Sequence, residues 1–163
     1  MNYKIIQPKD FKTSHWSGGT TTELYIYPEG SDFKSREFDF RLSIATIIIN
    51  ESDFTPLPGV DRTLLLLEGE LELIHEGHHS TTLKPLEQDS FSGSWQTKCI
   101  GKGKDFNLMT QKCNGTISVV KNDTVIEPDS EHTCIYALNG DARVNGISLK
   151  EGSLMVVKKS KKG

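Results

Sequence analysis

Hydrophobic residues recur with period two along most of the chain, and no stretch of about eleven residues carries a helical stripe, a pattern that predicts an all-β protein. The first clear strand is expected over residues 21–27, where Thr22, Leu24 and Ile26 alternate with Thr21, Glu23, Tyr25 and Tyr27 before Pro28 interrupts the ladder. A longer strand is expected over 38–49, with Phe38, Phe40, Leu42 and Ile44 on one face and Asp39, Arg41, Ser43 and Ala45 on the other. Pro56, Pro58 and Gly59 mark a loop before the apolar run of Leu64, Leu65, Leu66 and Leu67, which predicts a buried strand. Leu71 and Leu73 alternate with Glu70 and Glu72, and residues 75–79, with His75, His78 and His79, are expected to form a solvated turn into a strand over 80–84. Further strands are expected over 105–110, 116–121, 133–138, 142–149 and 153–158, and residues 159–163 form a basic tail exposed to solvent.

An internal repeat points to the architecture. Residues 63–73, followed by Leu83, Lys84 and Pro85, run parallel to residues 134–144, followed by Leu149, Lys150 and Glu151. Each copy reads as strand, glycine turn, strand, hairpin, strand. Such a unit resembles the central hairpin of a cupin, a small double-sheet jelly roll, and two copies suggest a compact bicupin-like double-stranded β-helix. Residues 1–163 are therefore expected to form one compact unit, with a first half at about 10–115 and a second at about 116–158.

Composition narrows the partners. A chain of 163 residues can bury a sizeable core without disulfides or a structural metal. A net charge of −3 without a concentrated basic face gives nucleic acid no footing. The first ten residues lack the apolar core of a secretion signal, and no apolar run approaches the roughly 20 residues that span a bilayer, so a cytoplasmic protein without membrane contact is expected. Cys99, Cys113 and Cys134 are an odd set with no C-x-x-C pair and are expected to be reduced. Homodimerisation is left open.

Five ordered blocks carry a family resemblance. These are Trp16-Ser17-Gly18-Gly19-Thr20-Thr21-Thr22-Glu23-Leu24, residues 38–45, residues 54–62, Phe91-Ser92-Gly93 and residues 105–109. In order and spacing they resemble the HutD/Ves family over roughly residues 10 to 115, and the last third agrees through the second repeat. Ser17 stands where the family more often has Asn. The resemblance implies a bicupin-like fold without established catalysis. It also implies that HutD members serve histidine degradation by binding a small acid such as urocanate or formiminoglutamate, whereas Ves members are linked to stress responses.

The candidate chemistry is sparse. Cupin enzymes hold a metal through H-x-H about six residues after the hairpin glycine. His75 follows Gly69 at that distance, but Gly77 occupies the second ligand position, so neither a metal nor another cofactor is expected. No phosphate loop, dinucleotide fingerprint or nucleophile elbow is present, and no catalytic residue is assigned. The arginines say more, because this chain has fifteen lysines and four arginines. Arg41 and Arg62 lie within apolar strands, where a guanidinium either forms an internal ion pair, with Glu23 or Asp61, or grips a ligand carboxylate bidentately. The ligand reading places a small carboxylate in the mouth of the first barrel. Arg62 is the clamp, Glu23, Arg41 and Asn107 form the polar lining, Thr20, Thr22, Asp61 and Asp105 complete the hydrogen bonding, and Trp16 or Phe91 forms an aromatic wall.

Three functions remain open at this point. The leading one is a non-catalytic carboxylate-binding protein that regulates or assists a catabolic pathway. A metal-free isomerase or hydrolase on a small acid, using Glu23 or Asp61 as base beside Arg62, is the second. The third is a stress-related scaffold that binds another protein.

Overall fold

The computed structural model describes residues 1–127 and 129–160, so residues 161–163 of the basic tail lie outside the described residues. Fifteen strands follow one another with no α-helix among the described residues: β1 (Asn2–Ile6), β2 (Lys12–Trp16), β3 (Gly19–Tyr27), β4 (Phe40–Ile47), β5 (Glu51–Asp53), β6 (Asp61–Gly69), β7 (Leu71–His75), β8 (Ser80–Leu83), β9 (Gln88–Ser92), β10 (Thr97–Ile100), β11 (Gly103–Thr110), β12 (His132–Tyr136), β13 (Ala142–Val144), β14 (Ile147–Leu149) and β15 (Leu154–Lys158). They divide into two compact units. One is Lys12–Val119, and the other combines Met1–Phe11 with the chain from Val120 onward.

The Lys12–Val119 unit is a two-sheet jelly roll. Its larger sheet runs β2-β3-β4-β11-β6-β9 and its smaller one β5-β10-β7-β8. Leu64, Leu66 and Phe91 of the larger sheet pack with Leu71, Leu73, Leu83 and Cys99 of the smaller one. A second cluster gathers Ile26, Phe38, Leu57, Val60 and Met109. In the other unit β1-β15-β12 form one sheet and β13-β14 a hairpin, packed around Ala137, Leu149, Met155 and Val157.

The internal repeat extends to individual hydrogen bonds. Leu71 pairs with Leu83 in the first copy, and Ala142 pairs with Leu149 in the second. The amide of Leu86 donates to the Leu66 carbonyl at 2.6 Å, and that of Gly152 donates to the Ala137 carbonyl at 2.8 Å. Leu66 and Ala137 return bonds to Glu87 and Ser153. Leu86 and Gly152 occupy the same left-handed turn position, with φ of 72° and 82°. Two unlike sequences thus close on the same backbone.

Several expectations need correction. β1 and β2 precede the first predicted strand, because all but one of their residues are exposed and show no alternating burial. The expected strand over 116–121 does not form; that segment is irregular and leaves Val119 and Val120 exposed. The stretch expected as one strand over 142–149 is the β13-β14 hairpin, turning at Asn145 and Gly146, both at positive φ.

The turn between β6 and β7 is sterically closed. Gly69 has φ +93°, and a Cβ there would lie 2.3 Å from the Lys102 carbonyl oxygen. Gly69→Ala should therefore lower stability by more than about 1 kcal/mol, read as a lower urea midpoint with an unchanged slope.

Candidate functional site

Residues paired across neighbouring strands share a face, so the pairings of the larger sheet define rows of side chains. Three rows face the smaller sheet. The first holds Ile26, Arg41, Met109, Arg62 and Phe91; the second holds Glu23, Ser43, Asn107, Leu64 and Asp89; the third holds Thr21, Ala45, Asp105 and Leu66. Ionisable groups are therefore interleaved with aliphatic ones inside the jelly roll.

A β-bulge decides who joins these rows. Glu23 pairs with Ser43 and Tyr25 with Leu42, so the alternation shifts phase between them. Ile26 consequently shares the face of Glu23, and Tyr25 and Tyr27 turn to the other side, which corrects the unbroken alternation expected over residues 21–27. Both faces of β4 are covered: Arg41 and Ser43 are as buried as Leu42 and Ile44.

The charged side chains differ sharply in how they are satisfied. Arg41, 7% exposed, donates from Nε to Glu23 Oε2 at 2.8 Å and stacks 3.9 Å over the Phe33 ring. Of the two expected partners, Glu23 makes the internal ion pair. Arg62 is half-buried, with its guanidinium 5.1 Å from the Phe54 ring centre and 5.2 Å from that of Phe91. Its buried Nε has no hydrogen-bond partner, and the side chain makes no hydrogen bond or ion pair among the described residues. Asn107 Nδ2 donates to Asp105 Oδ1, and the buried Asp105 Oδ2 has no partner.

Six of the ten expected site residues, Glu23, Arg41, Arg62, Phe91, Asp105 and Asn107, thus lie in the inner rows. The other four lie elsewhere. Thr20 and Thr22 belong to the opposite face of β3, where the Thr22 hydroxyl is 2.9 Å from that of Thr13. Trp16 is exposed at the end of β2. Asp61 is exposed on the outer face of β6, in a row with Thr110 and Ser92, so it cannot pair internally with Arg62 one residue on. A cleft of about 310 Å³ opens on that outer side, lined by Asp61, Thr63, Ser90, Thr110, Asn114 and Gly115, and it adjoins the inner rows at Arg62 and Phe91.

Sequence reasoning missed a second polar group. His75, expected in a solvated turn, is 1% exposed, because it continues the inward alternation of Leu71 and Leu73. Its Nδ1 lies 2.7 Å from Thr97 Oγ1 and its Nε2 2.7 Å from Asp89 Oδ2. His79 Nε2 lies 2.7 Å from the other Asp89 oxygen. His78 stays outside, stacked on Trp95 at 3.8 Å between ring centres.

Residues 8–162 match the HutD family model. The chain belongs to the HutD family. Among the HutD/Ves relatives, Protein Ves of Escherichia fergusonii is 37% identical over 126 residues, 74% of this chain and 63% of that protein. Protein Ves of Cronobacter sakazakii is 32% identical over 134 residues, 78% of this chain and 70% of the relative. The chain thus spans under two thirds of the length of the first of these relatives. Among solved structures, HutD from Pseudomonas fluorescens SBW25, in a formate condition, aligns with TM-score 0.65 at 20% identity over 96% of this chain and 87% of that one. A conserved protein of unknown function from Pseudomonas aeruginosa PAO1 aligns with TM-score 0.66 at 19% identity over 97% and 87%. These likenesses show the fold, which is all-β with jelly-roll-like sheets. The described residues include no helix long and apolar enough to cross a membrane.

In this HutD-family interior, burial controls the charges. Withdrawal from water pushes the Asp105 carboxyl up to about 7, against the pull of Asn107 and Arg62. Burial also lowers Arg62 to about 10, opposed by Asp105 and reinforced by Arg41. The Cys99 thiol rises to about 12, again mainly through burial.

The folded chain therefore retains a proton on Asp105 that the unfolded chain releases near pH 4. The stability this group contributes is complete below about pH 4 and is lost as pH rises through about 7. Urea unfolding at pH 5 and pH 8 should show a fall on the order of a few kcal/mol from this source, absent in Asp105→Asn. Glu23→Gln should cost about 3 kcal/mol at both pH values, because it leaves the Arg41 guanidinium buried without a counter-charge.

Proposed function

We propose that the Lys12–Val119 unit is a non-catalytic receptor for a small carboxylate, with Arg62 as the clamp. The observation that carries this reading is the state of Arg62: a guanidinium with a buried, unpartnered Nε, set against two aromatic rings in the same row as a second arginine already neutralised by Glu23. A protein rarely keeps such a group without an acceptor, since an unmet charged donor costs more than a neutral one. A carboxylate provides two acceptors in the plane of the guanidinium. Neutral Asp105 adds an O–H donor on the same inner face, and Phe91 and Phe54 offer flat apolar walls to the body of the ligand.

Family membership favours a small acid as the ligand. The HutD relative solved in a formate condition supports testing formate, and the histidine-degradation role that the HutD/Ves resemblance implies supports testing urocanate and formiminoglutamate. Under this reading, occupancy tunes flux through a catabolic route.

Isothermal titration with urocanate, formiminoglutamate and formate tests this. At least one should bind saturably, and Arg62→Ala should weaken it by about 2–4 kcal/mol, roughly 30- to 1000-fold, with the circular dichroism spectrum and thermal midpoint of the wild type. Folding should survive because Arg62 makes no ion pair to lose. Affinity should also rise as pH falls from 8 to 6, as Asp105 gains its proton. No heat with any of the three acids would sink the reading. So would unchanged affinity in Arg62→Ala.

A further inference from the structure

We propose that His75, His79 and Asp89 form a binding site for one divalent first-row transition-metal ion. One ring nitrogen of each histidine and a carboxylate oxygen of Asp89 all lie within 4.8 Å of one another, close enough for one ion to reach all three by small side-chain rotations. The set comes from two sheets: His75 ends β7 in the smaller one, and Asp89 lies in β9 at the edge of the larger. Two imidazoles and one carboxylate are a donor set for zinc, iron, cobalt or nickel rather than for calcium or magnesium, which take oxygen ligands.

The surroundings fit a ligand role. The remaining ring nitrogen of His75 is 2.7 Å from the Thr97 hydroxyl, the outer contact that fixes ring orientation and tautomer in metal-bound histidines. Asp89 is nearly buried and bridges both imidazoles, so the carboxylate is already aimed between them. His79 is 45% exposed, which leaves an entry path and room for water at the open coordination positions. The H-x-H pattern fails at Gly77, but a histidine four residues on and a carboxylate from the neighbouring sheet assemble the set without it.

The ion would hold the two sheets together beside Phe91, whose ring lies 4.5 Å from that of His75 and 5.2 Å from the Arg62 guanidinium. Metal binding and carboxylate binding use different side chains and are tested separately.

Tag-free, chelator-treated protein should be titrated with Zn²⁺ against a chelating dye, and with Co²⁺ by visible absorption. Trp95, with its ring centre 5.6 Å from that of His75 and 5.8 Å from that of His79, reports by fluorescence. The expected result is one ion per chain and a higher thermal midpoint with Zn²⁺. His79→Ala and Asp89→Asn, both checked for wild-type circular dichroism, should each weaken binding at least about tenfold, and the exposed control His78→Ala should change it less than about twofold. No saturable binding at millimolar Zn²⁺ would overturn the proposal and leave Asp89 as a plain hydrogen-bond acceptor for two imidazoles. Binding that His78→Ala weakens as much as His79→Ala, or that both ligand variants retain, would overturn it as well.

Discussion

A guanidinium taken out of water must find acceptors or weaken its hold on its proton, and the two inner arginines of the jelly roll meet that constraint in opposite ways. Arg41 spends its charge on Glu23 and its flat face on Phe33. Arg62, in the same row of side chains, has aromatic faces and no counter-ion in contact, and its nearest help is the field of a carboxyl that burial leaves only about half ionised near pH 7. The interior is therefore neither a plain aliphatic core nor a closed ion-pair network. It is a core with one guanidinium that no acidic group touches, and the aliphatic residues within the rows, Leu64, Leu66 and Met109, keep water from screening its charge.

Duplication of the backbone did not duplicate this chemistry. Following the repeat, the positions of Arg62, Asp89 and Phe91 in the first copy correspond to Thr133, Met155 and Val157 in the second. The hydrogen bonds that close the turn are retained, yet the second copy carries uncharged residues at these three positions, and Met155 and Val157 pack with Ala137 and Leu149. The turn and hairpin depend on left-handed positions and strand pairing, which many side chains satisfy. The polar rows depend on particular residues, which only one copy carries.

What the sequence made legible follows the same division. The repeat, the β6 and β7 strands and the placement of Arg41 and Arg62 within strands could be read directly, because period-two burial and an unusual arginine are local signals. The bulge between Glu23 and Tyr25 could not, since it is a mismatch between two strands rather than a property of either. Closeness in sequence couples Asp61 to Arg62, although β-strand geometry sends the two to opposite faces, and Thr20 and Thr22, expected to complete the hydrogen bonding, lie on the face of β3 opposite Glu23. His75 left a signal that was available, the alternation of Leu71, Leu73 and His75, but its place among glycine and other histidines suggested a turn. Phe33 opens a one-turn 3₁₀ helix and Phe54 follows β5 in an irregular segment, and nothing in their neighbours foretells that they cover Arg41 and Arg62.

The pairing of β1 with β15 has a consequence for biosynthesis. Asn2 aligns with Lys158 and Ile6 with Leu154, so β1 is synthesised long before β15, its strand partner among the described residues. The Lys12–Val119 jelly roll is contiguous and can close on the nascent chain. The β1-β15-β12 sheet waits through roughly 150 further residues, on the order of 10 s of translation. For that interval β1 is an unpaired edge bearing Tyr3 and Ile5, the kind of segment that chaperones shield.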